Sequence, residues 1–303
     1  MGTLVRWAAA AVAAWLLHRH VAGTDLGSVA ATARWGWVLV AGCLSTLTLA
    51  GAAVNLMAVS PVRLEVRRTV AAQLAGGFAK LVSPAAIGAA ALNVRFVQRA
   101  GAPTPGAVAT VGAAQLVQLA TTVLLLVLVG VTSGQTALPR VLPGPGVWVA
   151  VGAVVLGGSS ALGFAPVRRL LRSRLAPMRQ GLGPLGTSLR EAVRRLLLAA
   201  TGSLLLTGAL VLCLAASVAA FGGAPDLRAV AVVLLAGTAL GSLVPTPGGL
   251  GAVDAALVAG LTAAGHGASV AVPAVLVFRL VTVWLPVPLG WFALRGLQRR
   301  GHL

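Results

Sequence analysis

The chain has 303 residues, 58% of them hydrophobic and 9% charged, with a mean hydropathy of +0.96 and a net charge of +18. A soluble domain of this size carries roughly 25% charged residues, so the composition excludes an ordinary water-soluble globule, and continuous apolar runs without two-residue alternation argue against a β-barrel. What remains is an all-α polytopic membrane protein; its positive charge marks loops and anionic headgroups rather than nucleic acid, because there is no tyrosine and no basic patch interleaved with aromatics.

The first apolar stretch, Leu4–Val21, follows Arg6 and precedes the small residues Ala22 and Gly23. It has features of a signal peptide but reads better as an uncleaved first helix, because it nearly spans and the rest of the chain is membrane-embedded. The clear full-length candidates are Trp35–Val59, Ala107–Val131, Val147–Phe164, Leu196–Phe221 and Val270–Leu294. Trp35–Val59 has 25 residues, about 38 Å as helix, enough to cross an apolar core of roughly 30 Å with some tilt. With Leu4–Val21 this makes about six full spans. Two further apolar regions, Thr69–Gln98 and Arg228–Ala264, are broken in the middle.

Orientation follows from the basic residues. Residues 166–195 carry eight arginines against Glu191 alone, which predicts a cytoplasmic loop. Arg63, Arg67 and Arg68 after the second helix, and Arg295, Arg299 and Arg300 at the end, predict the same side. Val147–Phe164 then runs inward, so Ala107–Val131 runs outward, and Thr69–Gln98 must start and end in the cytoplasm. By the same count Arg228–Ala264 starts and ends outside. Both broken regions are therefore expected to be re-entrant helical hairpins. Thr69–Val82 has 14 residues, about 21 Å of helix, too short to cross. Pro84 interrupts the first hairpin, and Pro245-Thr246-Pro247-Gly248-Gly249 the second.

The two tips share a pattern, [ST]-P-x-x-[IL]-G: Ser83-Pro84 with Ile87-Gly88, and Thr246-Pro247 with Leu250-Gly251. Each half is a span, a broken hairpin and a span, in opposite orientation, so the whole reads as an inverted repeat: residues 35–131, a connecting span at 147–164, the arginine loop 166–195, and residues 196–294, in one transmembrane domain over 1–303. Inverted repeats with discontinuous helices are a transporter signature, with the substrate site at the repeat interface. Half-helix N-termini at the tips would suit an anionic group such as a lipid phosphate.

Rare charges and polar groups inside apolar sequence mark the candidate site. Asp254 falls one turn after Gly251, and Arg279 lies within the last span. Ionisable groups in spans are costly and functional by default; a purely structural pair, or a snorkelling Arg279, is the alternative. Lys80, Asn93 and Arg95 are the matching candidates of the first hairpin, while Arg99 reads as a boundary residue. Gln115 and Gln118 share one face of a span, where interhelical hydrogen bonding is as good a reading as substrate contact. Cys43 and Cys213 read as small apolar side chains rather than a disulfide. His18, His20, His266 and His302 have no carboxylate or cysteine set around them, so no metal site and no cofactor is expected. No nucleophile setting or nucleotide loop is recognisable, which argues against a conventional enzyme.

The stretch from Pro245 through Pro247, Gly248, Gly249, Gly251 and Asp254, followed by Phe278-Arg279, Trp284, Pro286 and Gly290, resembles the flippase-like membrane family related to the transmembrane region of lysylphosphatidylglycerol synthases. That family's pattern is P-x-P-G-G-x-G-x-x-E, then an aromatic-Arg pair, a W-x-P and a glycine; Asp254 replaces the usual glutamate. Pro84 and Gly88 match its P-x-x-x-G-E element, with Ala89 in place of the acid. The resemblance implies movement of a lipid or lipid-linked molecule between leaflets, with anionic phospholipids as partners. The sequence closes nine residues after Leu294, without the soluble domain that aminoacylates lipid in the synthases, so lipid aminoacylation is not expected. The Ala-, Gly- and Arg-rich composition is compatible with a high-GC bacterium and its inner membrane. The site expected from residues and resemblance together comprises Pro84, Gly88, Asn93, Arg95, Pro245, Pro247, Gly248, Gly249, Gly251, Asp254 and Arg279. The rival expectation is a non-transporting subunit or regulator of a cell-envelope lipid enzyme; a homo-oligomer is compatible with either.

Overall fold

The computed structural model describes residues 26–82, 87–132, 185–241, 251–299 and 303. Every element among the described residues is a helix, without strands: α1 (Leu26–Thr32), α2 (Trp35–Val59), α3 (Val66–Val82), α4 (Ile87–Arg99), α5 (Thr104–Thr132), α6 (Leu185–Ala220), α7 (Leu227–Gly241), α8 (Ala252–Ala263), α9 (Ala268–Arg279), a π-helical turn (Leu280–Trp284) and α10 (Pro286–Arg299). Among them, four helices are long and apolar enough to cross a membrane: α2, α5, α6 and the α9–α10 unit. The expected spans Leu4–Val21 and Val147–Phe164 lie outside the described residues.

The bundle is built on α2 and α6, which pack antiparallel along their length. At one end the Arg34 N–H donates to the Ala220 carbonyl at 2.8 Å, the Cys213 thiol then donates to the Ala41 carbonyl at 3.4 Å, and at the other end Arg195 Nη1 donates to the Ser60 carbonyl at 3.3 Å. Their crossing is made by two glycines. A Cβ on Gly51 would lie 2.6 Å from the Leu206 nitrogen and 2.7 Å from the Gly202 carbonyl oxygen; one on Gly202 would lie 2.6 Å from the Asn55 nitrogen and 2.8 Å from the Gly51 carbonyl oxygen. Each glycine thus meets its counterpart and the residue four positions beyond it. Small residues permit this approach, which is how apolar helices gain packing energy where burial from water supplies none. Large side chains point the other way: Trp35, Trp37, Leu39, Leu124, Leu128, Leu204 and Phe292 are exposed, the outward-apolar surface of a chain solvated by lipid.

Each broken region folds back on itself. In α3–α4, Gln73 meets Asn93 and Gly76 meets Ala89, an antiparallel register. In α7–α8, Gly237 meets Leu257 and Val233 meets Gly260, again antiparallel. Val59, Val62 and Leu64 share a core with Ala102 and Leu297, so the first hairpin begins and ends at one pole. The second begins and ends at the other, where a Cβ on Gly223 would lie 3.1 Å from Val270. The arginines of 63–68, 95–99, 190–195 and 295–299 gather at the first pole. The contacts also exchange when the halves exchange: α3 packs on α10 as α7 packs on α5, and α2 on α6 is its own counterpart.

Two boundaries differ from expectation. Residues 185–195, expected as part of the arginine loop, are the first turns of the 36-residue helix α6; Glu191 pairs with Arg194 and Arg195, both at 2.9 Å, so i,i+3 and i,i+4 pairs carry the helix beyond the apolar stretch. Residues 166–184 lie outside the described residues. The last span is not continuous. The Leu285 N–H reaches back to the Leu280 carbonyl at 2.7 Å, inserting a π turn, and Pro286 has no N–H to offer. This orphans the Val281 carbonyl, and the Ser45 hydroxyl of α2 donates to it at 2.6 Å.

Candidate functional site

A partly open cavity of about 380 Å³ lies between α2, α3, α4, α5, α6 and the α9–α10 unit, within the roughly 300–1,000 Å³ that small-ligand sites occupy. Every wall is one face of a helix. Gln73, Gly76, Gly77 and Lys80 line it from α3, Gln115 and Gln118 from α5, and Arg279, Thr282, Val283 and Pro286 from the last span, all at the three- and four-residue spacing of a single helical face. On α2 the same spacing presents Ser45, Thr48, Ala52 and Asn55.

Among the described residues, two cations face this space, Lys80 and Arg279, and no carboxylate lines it. Arg279 ends α9 directly before the π turn, and its Nε donates to the Asp254 carboxylate; the two side chains are 8% and 13% exposed, respectively. Asp254 stands behind Arg279, outside the cavity wall, and also accepts the Gly251 N–H at 2.9 Å, closing the first turn of α8. Gly251 has φ 83°, a conformation that glycine adopts without a Cβ penalty. The carboxylate therefore links hairpin tip, hairpin helix and last span.

The polar wall is ordered by its own hydrogen bonds. Gln73 Nε2 donates to Asn93 Oδ1 at 3.3 Å across the first hairpin. Asn55 Nδ2 donates to the Ala114 carbonyl at 3.1 Å, and Gln118 Nε2 to Thr207 Oγ1 at 2.9 Å. The interhelical reading of Gln118 and its place on the cavity wall thus hold together. The acceptor atoms Asn55 Oδ1 and Gln118 Oε1 are buried beside the cavity and have no partner among the described residues.

Of the expected site residues, Asn93 and Arg279 line the cavity, and Asp254 and Gly251 brace Arg279 from behind. Gly88 is on α4 next to Ala89, which does line the wall; Gly88 does not. Arg95 does not reach the cavity. It lies in a separate surface groove with Leu92, Leu294, Gln298 and Leu303, because it is two residues from Asn93 and so points to another side of the same helix. Pro84, Pro245, Pro247, Gly248 and Gly249 lie outside the described residues, as do His18, His20 and His302. Cavity residues not expected from the sequence are Gln73, Ser45, Thr48 and Asn55; the signal available for them was polar side chains recurring at helical spacing within apolar runs.

The family described as the lysylphosphatidylglycerol synthase TM region matches residues 3–290 of the chain. The chain belongs to that family. No curated protein matches it.

Proposed function

We propose that this member of the lysylphosphatidylglycerol synthase TM-region family moves an anionic or amino-acylated lipid, or a lipid-linked molecule, between the leaflets of a bacterial inner membrane. The observation that carries the reading is the cavity at the centre of the bundle, with Lys80 and Arg279 on its wall. Cations inside apolar spans are costly unless they serve a ligand or a partner, and a phosphate is the anion that a lipid headgroup supplies.

The same reading takes the two folded-back helix pairs as re-entrant hairpins and the halves as an inverted repeat. The exchange of contacts between halves and the reciprocal Gly51–Gly202 crossing support this. With the arginine-rich pole in the cytoplasm, anionic lipid would collect where the first hairpin enters. The chain's own part in such transport is to hold the phosphate at Lys80 and Arg279, keep Arg279 oriented through Asp254, and shield the headgroup from the acyl chains.

Reconstitution tests this. In vesicles bearing tail-labelled phosphatidylglycerol and a quencher confined to the outside, the protein is expected to expose the inner-leaflet label. Label that stays as protected as in protein-free vesicles contradicts transport and favours a non-transporting subunit.

A further inference from the structure

Polar side chains on the α2, α5 and last-span walls of the cavity have turned their hydrogens onto the protein itself. The Ser45 hydroxyl donates to the Val281 carbonyl at 2.6 Å, the Thr48 hydroxyl to the Ser45 carbonyl at 2.6 Å, and the Thr282 hydroxyl to the Phe278 carbonyl at 2.6 Å. Asn55 Nδ2 donates to the Ala114 carbonyl, which fixes the amide, since a turned Asn55 would set oxygen against oxygen. Gln118 is fixed in a similar way. Its Nε2 lies 2.9 Å from Thr207 Oγ1 and 3.4 Å from Thr122 Oγ1. The Thr122 hydroxyl already donates to the Gln118 carbonyl at 2.9 Å, so toward the amide it can only accept.

What Ser45, Thr48, Asn55, Gln118 and Thr282 keep for a ligand is lone pairs: a hydroxyl that has given its hydrogen away is an acceptor, and so is an amide oxygen. All of them line the cavity. Thr48 and Thr282 are half-buried on its wall. Asn55 is 6% exposed, and Asn55 Oδ1 and Gln118 Oε1 are buried without a partner among the described residues. Unmet buried acceptors are costly, so this face favours a ligand that brings donors. The acceptors are neutral and come from three elements, a spread that suits several neutral donors on neighbouring atoms.

Resting on the transport reading above, which puts the phosphate at Lys80 and Arg279, we infer that the cavity binds the phosphate ester of a polyol, with the headgroup hydroxyls donating to the acceptor face of Ser45, Thr48, Asn55, Gln118 and Thr282. The phosphate alone would satisfy the cations and leave this face unmet; the hydroxyls of the same headgroup complete the match.

Charge is held constant and the hydroxyls removed by comparing phosphatidylglycerol with phosphatidylpropanol, which carries the same single negative charge on a three-carbon headgroup without a hydroxyl. Each is used to displace fluorescent phosphatidylglycerol from the purified full chain in detergent, beside phosphatidylethanolamine. Phosphatidylglycerol is expected to bind about tenfold more tightly than phosphatidylpropanol, the worth of one or two neutral hydrogen bonds. The double variant Thr48→Val, Thr282→Val keeps the shape and drops two acceptors, and should narrow that gap; Thr48→Ser, Thr282→Ser keeps both hydroxyls and should preserve it. Displacement by acyl-free glycerophosphoglycerol at equal concentration would support the same rule and assign the ligand to a free polyol phosphate; displacement by the lipid alone would support it and assign the ligand to a lipid. Phosphatidylpropanol binding the native chain as tightly as phosphatidylglycerol, the result if water serves these acceptors, overturns the inference. So does equal binding of phosphatidylethanolamine, where an ammonium would serve as well as a hydroxyl, or a gap unchanged in a folded valine variant. Hydroxyl-selective binding without movement of label in vesicles would sink the transport reading alone, and movement without that selectivity would sink this one alone.

Discussion

Asp254 and Arg279 form an ion pair between the second hairpin and the last span, and the same Asp254 carboxylate caps α8 through the Gly251 N–H. Removing one member takes the opposite charge away from a largely buried group, which costs about 3–5 kcal/mol. Asp254→Asn and Arg279→Gln are each expected to lower the thermal midpoint in detergent markedly, and the double variant to recover much of the loss. A double variant as unstable as the sum of the two singles would show that the pair is not coupled. Binding of phosphatidylglycerol separates the residues further: it should fall in Arg279→Gln and remain low in the stable double variant.

Ser45 reaches across from α2 to the Val281 carbonyl that the π turn and Pro286 leave without an amide partner. An unmet buried carbonyl costs about 1–3 kcal/mol. Ser45→Ala should lose that amount of stability by thermal unfolding in detergent, while Ser45→Thr, which keeps the hydroxyl, should lose less. Equal losses in both would mean that the contact reports packing rather than the hydrogen bond.

Gly51 and Gly202 hold the two central helices at backbone contact. Alanine at either position puts a methyl 2.6 Å from a backbone nitrogen of the opposite helix, and overpacking of this kind costs about 1–3 kcal/mol. Gly208, on the same helix as Gly202, has nothing within 4 Å of where its Cβ would lie. Gly208→Ala should leave the melting temperature unchanged or raised, whereas Gly51→Ala and Gly202→Ala should lower it.

The hairpins place residues 60–68 and 101–106 at one pole and 222–226 and 264–267 at the other. In a background with Cys43→Ala and Cys213→Ala, single cysteines in the first two segments should react with an impermeant thiol reagent from the same side of the membrane, and those in the last two from the opposite side. Opposite labelling of 60–68 and 101–106 would sink both the re-entrant hairpins and the repeat.

The sequence carried the coarse architecture because hydropathy and helix breakers act locally. Trp35–Val59 is bounded by Ser60-Pro61, and α3 and α4 stop and start on either side of Ser83-Pro84. Asp254 and Arg279 were conspicuous because charges in apolar runs are rare. Two kinds of feature escaped. Where a helix continues through charged residues, as α6 does from Leu185, hydropathy ends before the helix does, since Glu191, Arg194 and Arg195 support one another on its surface. Where geometry depends on a distant partner, no local signal exists: the π turn needs Ser45, 236 residues away. Arg95 was grouped with Asn93 by proximity in sequence, but a helix turns them to different sides.

Passage of a headgroup through the cavity is measured most directly at Gly77. Gly77 lies on the cavity wall with nothing within 4 Å of its side-chain direction, and Gly112, on α5 outside the wall, is equally unobstructed. In proteoliposomes with leaflet-selective quenching, Gly77→Phe should fill the cavity and slow exposure of inner-leaflet phosphatidylglycerol at least tenfold, with Gly112→Phe close to the native rate and both variants equally stable. Native-rate movement of lipid by a folded Gly77→Phe protein would contradict passage through this cavity.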